Sequence, residues 1–183
     1  MSLIYLSLGS NIDAPRNIHA ALDALEQQFG LCLISSVYES KSLVFQGKNF
    51  LNLAVSIQSH LPINELLNVF KIIEDALKRD RSAPKFSDRT MDIDILCVHD
   101  RWGDVDGIRL PRAEILENAF VLLPLAEIAP DCRYFGDNRL EACIRIAHRR
   151  DDHGSNAALR CRRFWAARDA VHTPMSVYDP HLR

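Results

Sequence analysis

The sequence predicts an α+β sandwich in which helices cover a mostly antiparallel sheet. Three observations predict it. Short runs of strand formers end at turn clusters, two longer segments repeat apolar residues at three- and four-residue spacing, and the order is strand, helix, strand, strand, helix, strand. At 183 residues and 48% hydrophobic composition, the chain is long enough to bury one sizeable core. The expected organisation is one domain over residues 1–160 and a C-terminal tail over 161–183.

Residues 3–8 (LIYLSL) read as the first strand, which stops at the turn cluster Gly9-Ser10-Asn11. Asp13 is placed to cap a helix and Pro15 suits its first turn. Ile18, Ala21, Leu22, Leu25 and Phe29 then share one face until Gly30 stops it. Residues 31–38 and 50–58 read as strands, with the polar stretch Glu39 to Asn49 between them as a mobile, substrate-facing loop. Pro62 starts a second helix, in which Ile63, Leu66, Leu67, Phe70, Ile73 and Leu77 keep helical spacing. Lys78 and Arg79 fall near its C-terminal end, where the helix dipole favours cations. A polar loop over 80–90 leads into MDIDILCV, a strand by its alternation. Trp102 to Gly107 reads as a turn between strands, and AFVLLPLAEIAP (119–130) fits a buried strand or a buried helix equally well. From Arg133 onward there are ten arginines and no lysine, and the apolar periodicity fades.

Several function classes are disfavoured. A formal charge of -2 gives no global field to recruit nucleic acid or an anionic membrane, and the arginine clusters near the C-terminus lack interleaved aromatics apart from Phe164-Trp165. The five cysteines (Cys32, Cys97, Cys132, Cys143, Cys161) are odd in number and form no CxxC pair, so neither a disulfide framework nor a zinc site is expected. The first residues carry no basic region or cleavage site, and no window has the roughly 18 apolar residues of a membrane span. The expected location is the cytoplasm.

The chemistry concentrates around Asp92-Ile93-Asp94. Strand alternation puts Asp92 and Asp94 on one face, about 7 Å apart at Cα, with Ile93 and Ile95 opposite. Two close carboxylates repel unless cations compensate them, and a divalent cation is one compensation; an exposed polar strand face gives the same pattern. Hard oxygen donors few in number suit Mg²⁺, which takes its other ligands from water and phosphates. Arg79, Arg81, Lys85 and Arg89 lie within the fifteen residues before the pair. Arginine forks match phosphate oxygens, so the stretch reads as a polyphosphate cradle or as a solvated charged loop. No GxxxxGK[ST] and no GxGxxG before a helix is present, so metal and arginines must position any nucleotide.

Arg89-Thr-Met-Asp92-Ile-Asp94-Ile-Leu resembles the hallmark of the 6-hydroxymethyl-7,8-dihydropterin pyrophosphokinases of folate biosynthesis. The similarity extends to YLSLGSN (5–11), SSVYES (35–40), FLNLAV (50–55) and FVLLPLAEIAPD (120–131), about residues 3–135 in all. The resemblance implies a ferredoxin-like α+β fold and attack of the pterin hydroxymethyl oxygen on the β-phosphorus of ATP, with AMP leaving. It implies two Mg²⁺ ions on Asp92 and Asp94, with Arg79 and Arg89 as catalytic cations. Arg79, Arg81, Lys85, Arg89 and Arg112 would bind ATP, and Glu74 would support the site from its helix. For the pterin it points to Asn52, whose amide meets a donor and acceptor edge, and to Phe120 for stacking, with Leu43, Phe50 and Gly9 nearby. The implied partners are a small-molecule pterin and ATP.

The departures from the family pattern lie mainly in LPRAEILENAF (110–120). Arg112 and Asn118 stand where the family has a histidine and an arginine on the ATP phosphates. Phe86 replaces a frequent tryptophan, and Ser40-Lys41-Ser42 replaces a Thr-Pro-Pro-like run. Three readings are compatible with these residues: an active diphosphotransferase, a paralogue acting on a modified pterin, and a protein that binds pterin or nucleotide without turnover. The intact aspartate pair and its nearest arginines favour the first.

Overall fold

The computed structural model describes residues 1–41, 48–84, 87–99 and 101–129, together with the backbone of a strand at 161–165. The expected loop residues around Leu43, the positions Lys85 and Phe86, and most of the arginine-rich C-terminal segment lie outside the described residues.

The first strand, β1 (Ser2–Ser10), buries Ile4, Leu6 and Leu8 on one face. It lies between β4 (Phe50–Ser59) and β5 (Asp92–Val98), antiparallel to both. On the far side of β4 come β2 (Leu33–Ile34) and β3 (Val37–Ser40), also antiparallel. The lateral order β5-β1-β4-β3 joins strands through α1 (Ala14–Phe29) and α2 (Ile63–Ala76), the ferredoxin-like arrangement expected. An edge strand, β8 (Cys161–Trp165), pairs with β3, so the opening of the segment read as a tail adds to the sheet.

Alternation decides what each face buries. Leu6, Leu8, Leu53, Val55, Ile93 and Ile95 meet Ile18, Leu22 and Leu25 of α1 and Ile63, Leu66 and Phe70 of α2. Each such side chain contributes about 1.5–3 kcal/mol by leaving water. The opposite face carries Tyr38, Ala54, Leu96 and Cys97 against α4 (Ala119–Ile128) and the short α3 (Glu114–Glu117). A bulge at Leu96 lets Leu96 and Cys97 both reach this second cluster before Val98 returns to the first.

Local details depart from the sequence reading in four places. Asp13 occupies the N-cap of α1, but with φ 43° it sits in the left-handed region and its carboxylate caps nothing. The strand expected over 31–38 is broken: Ser35 Oγ accepts the Ala54 N–H at 2.9 Å, the Ser36 N–H donates to Glu127 at 2.7 Å, and the ladder with β4 resumes only at Tyr38. Trp102 to Gly107 is more than a turn. β6 (Gly103–Val105) and β7 (Ile108–Leu110) form a hairpin whose Asp106 and Gly107 both have positive φ, as a two-residue hairpin loop requires. The ambiguous apolar run at 119–130 is the helix α4, and it accommodates Pro124 within it.

Candidate active site

The site grows from one rung of the sheet. Gly9 pairs with Asn52 on one side and Asp92 on the other, and two residues along, on the same face, Ser7 pairs with Asp94. Asn52 and Asp92 therefore face the same way two strands apart, about 10 Å, across a residue with no side chain. A Cβ on Gly9 would stand 3.4 Å from Asn52 Oδ1, so glycine keeps the gap between them open. Asn52 is buried, and its Nδ2 donates to Ser40 Oγ at 3.0 Å and to the Tyr38 carbonyl at 3.3 Å, which turns Oδ1 toward Gly9 as an acceptor.

Beside this rung, α2 ends in a turn that returns Arg79 to the sheet. Lys78 takes a left-handed φ of 62°, its N–H donates to the Asp75 carbonyl at 3.0 Å, and the Arg79 N–H donates to the Glu74 carbonyl at 3.1 Å. This is a Schellman closure with lysine at the position glycine prefers. It brings the Arg79 guanidinium onto both Glu74 and Asp92. Glu74, only 5% exposed, also accepts the Ile93 N–H at 2.8 Å and pairs with Arg81 at 2.9 Å. One buried carboxylate thus ties the helix end, two arginines and β5 together. Arg81 continues outward to Asp75 at 2.7 Å, and that hydrogen bond raises its pKa from the ordinary value.

Arg89 reaches Asp92 from the other side, on the second carboxylate oxygen. Burial, and then the charge of Arg79, pull the Arg89 pKa below its ordinary value: this cation is held where positive charge is crowded. Its backbone is locked by Asn11. The Arg89 N–H donates to Asn11 Oδ1 at 2.7 Å, and the Arg89 carbonyl accepts the Asn11 and Ile12 N–H groups at 3.0 and 3.2 Å. Asn11 Nδ2 also holds Asp88 at 2.5 Å. Sequence reasoning took Asn11 only for a turn residue; its role as the clamp on the arginine loop rests on contacts far apart in the chain. The buried Thr90 Oγ1 next to Arg89 has no hydrogen-bond partner among the described residues.

Asp94 is less enclosed, and among the described residues Arg112 pairs with it at 3.8 Å. The Arg112 N–H donates to the Leu96 carbonyl at 2.8 Å, so the bulge in β5 also anchors the loop that carries Arg112 to the site. The structure thus gathers Gly9, Asn52, Glu74, Arg79, Arg89, Asp92, Asp94 and Arg112. Arg81 stands one carboxylate removed from Asp92. Phe50 begins β4 opposite Ser40, and Phe120 packs half-buried against the second cluster. Asn118 is the N-cap of α4, its carbonyl accepting the Val121 and Leu122 N–H groups at 3.0 Å. Leu43 and Lys85, expected at the pterin and the ATP, lie outside the described residues.

Among the described residues no three His, Cys, Asp or Glu side chains converge as a metal cage, and no helix is long and apolar enough to cross a membrane. The paired aspartates nevertheless fit a hard cation that keeps most of its ligands from elsewhere.

Comparisons with known proteins point to one family. The family model for 7,8-dihydro-6-hydroxymethylpterin-pyrophosphokinase matches residues 5–130. A 2-amino-4-hydroxy-6-hydroxymethyldihydropteridine pyrophosphokinase of Porphyromonas gingivalis is 34% identical over 137 residues, covering 71% of this chain and 92% of that relative. One from Methylorubrum extorquens is 34% identical over 150 residues, covering 80% and 94%. The crystal structure of Plasmodium falciparum HPPK-DHPS superposes with a TM-score of 0.62 at 16% identity, covering 89% of this chain and 47% of that one, so this chain spans about half of that protein's length and the likeness is one of fold. With the motif, the rung and these matches together, the chain belongs to the 7,8-dihydro-6-hydroxymethylpterin-pyrophosphokinase family.

Proposed function

We propose that this protein transfers the terminal diphosphate of ATP to the hydroxymethyl group of 6-hydroxymethyl-7,8-dihydropterin, releasing AMP, in folate biosynthesis. The observation that carries the reading is the rung Asn52–Gly9–Asp92, which sets a residue without a side chain between a buried amide and the carboxylate–arginine cluster. Asn52 Oδ1, fixed by Ser40, accepts from the amino edge of the ring, and Phe120 and Phe50 are the aromatic candidates to flank it. Leu43 is assigned to the pterin by the resemblance alone.

Asp92 and Asp94 are the residues to hold Mg²⁺, two ions by the family pattern; when bound, the metal neutralises and orients the polyphosphate. The protein's own contribution is a set of fixed cations. Arg79 and Arg89, which share Asp92 here, exchange part of that pairing for phosphate oxygens and stabilise charge on the transferred and leaving groups. Arg81 and Arg112 add charge at the rim, and Lys85 is assigned to ATP by the resemblance alone. The pterin oxygen attacks the β-phosphorus in line with the bond to AMP.

The product distinguishes this reaction from ordinary kinase chemistry. With ATP, Mg²⁺ and 6-hydroxymethyl-7,8-dihydropterin, AMP and the pterin diphosphate should form together and only when pterin is present. ADP as the nucleotide product, or no turnover by the folded protein, contradicts the proposal. Turnover of only a negatively charged pterin would instead identify a paralogue, with exposed Lys41 as the residue to meet the added charge.

A further inference from the structure

We propose that Glu114 is a positioning residue that sets how tightly Asp94 holds a divalent cation, by drawing Arg112 away from it. The inference rests on the reading of Asp94 as a cation ligand.

One guanidinium nitrogen lies between two carboxylates. Arg112 Nη2 donates a hydrogen bond to Glu114 Oε1 at 3.1 Å, while Asp94 Oδ1 is 3.8 Å away, an ion pair without a hydrogen bond. The backbone at Arg112 is fixed: its N–H is held by the Leu96 carbonyl at 2.8 Å, its carbonyl accepts the Ile115 N–H at 3.3 Å, and Ile115 is fully buried. Only the side chain is free to choose between partners. Both carboxylates are nearly half exposed, 46% at Asp94 and 44% at Glu114, so neither contact is strong and a single charge tips the balance. Asp92 differs, because two separate arginines occupy its two oxygens, so the sharing of Arg79 with Glu74 still leaves Arg89 on it.

The consequence follows from electrostatics. A cation arriving at Asp94 repels Arg112, and Glu114, already hydrogen-bonded to the same nitrogen, keeps the guanidinium partnered. Without the Glu114 charge, Arg112 closes on Asp94 and competes with the metal for it.

Mn²⁺ binding to the nucleotide-free full chain, followed by the electron paramagnetic resonance signal of the free ion, tests this. Glu114→Gln should weaken Mn²⁺ binding about three- to tenfold, and Arg112→Gln should tighten it by a similar factor. In the Arg112→Gln background, adding Glu114→Gln should have little further effect. Wild-type affinity in Glu114→Gln, an equal weakening in both backgrounds, or no Mn²⁺ binding by any variant overturns the inference. Asp94→Asn separates the two levels. If it binds Mn²⁺ like wild type, the cation reading itself fails; if it loses binding while Glu114→Gln does not, only the role of Glu114 fails.

Discussion

At the scale of single residues, Glu74 joins two arginines to the sheet. Its two oxygens receive Arg79, Arg81 and the Ile93 N–H from a nearly dry position. Glu74→Ala would leave two guanidinium groups and a buried amide short of a partner, so urea unfolding should show a loss of about 3 kcal/mol. A loss under about 0.5 kcal/mol would mean that the cluster is solvated rather than built. Asp92, Asp94, Arg79 and Arg89 were legible in the sequence because they lie within sixteen positions of one another and the alternation of a strand fixes which face the aspartates share. Asn11 was not: its grip on Arg89 spans 78 residues, and Gly-Ser-Asn has a sufficient local reading as a turn. Glu74 was placed at the site through the resemblance, and its burial adds the reason that a charge there survives.

At the scale of elements, the turn after α2 decides where the arginines point. Lys78 adopts a left-handed backbone, which costs an L-residue about 1 kcal/mol or more, and the Schellman bonds offset that cost. Lys78→Gly should therefore stabilise the protein by about 0.5–1 kcal/mol in thermal or urea unfolding. Destabilisation would show that the lysine side chain supports the turn in some other way. Both long helices were legible because each has a single apolar face against one side of the sheet. α4 was not, because it is apolar on nearly every side and contains Pro124, which leaves no period to separate helix from strand. The break between β2 and β3 was hidden for a different reason. It depends on Ser35, Ser36 and Glu127 meeting across the fold, while the local run of strand formers is continuous.

At the scale of the whole molecule, the sheet has one face devoted to stability and one end of the other face devoted to the site. Cys32, at the edge of the first core, has its thiol pushed up to about 11 from 9.0, chiefly by burial and then by the nearby Glu26 charge. An acid whose pKa is raised on folding binds its proton more tightly in the folded state. Its contribution to stability is present below the unfolded value near 9 and fades as pH rises toward 11. Unfolding free energy should accordingly fall between pH 9 and 11, and Cys32→Ser should flatten that slope; an unchanged slope would assign it to other groups. The central claim is that the Asn52–Gly9–Asp92 rung and the adjoining Asp94 form the centre of diphosphate transfer. Its most direct test is the rate of AMP formation by wild type and Asp94→Asn at saturating ATP, Mg²⁺ and 6-hydroxymethyl-7,8-dihydropterin. Asp94 is nearly half exposed, so the variant should fold and melt like wild type while its turnover falls by at least about a hundredfold. A variant that folds and still releases AMP at the wild-type rate would contradict the account.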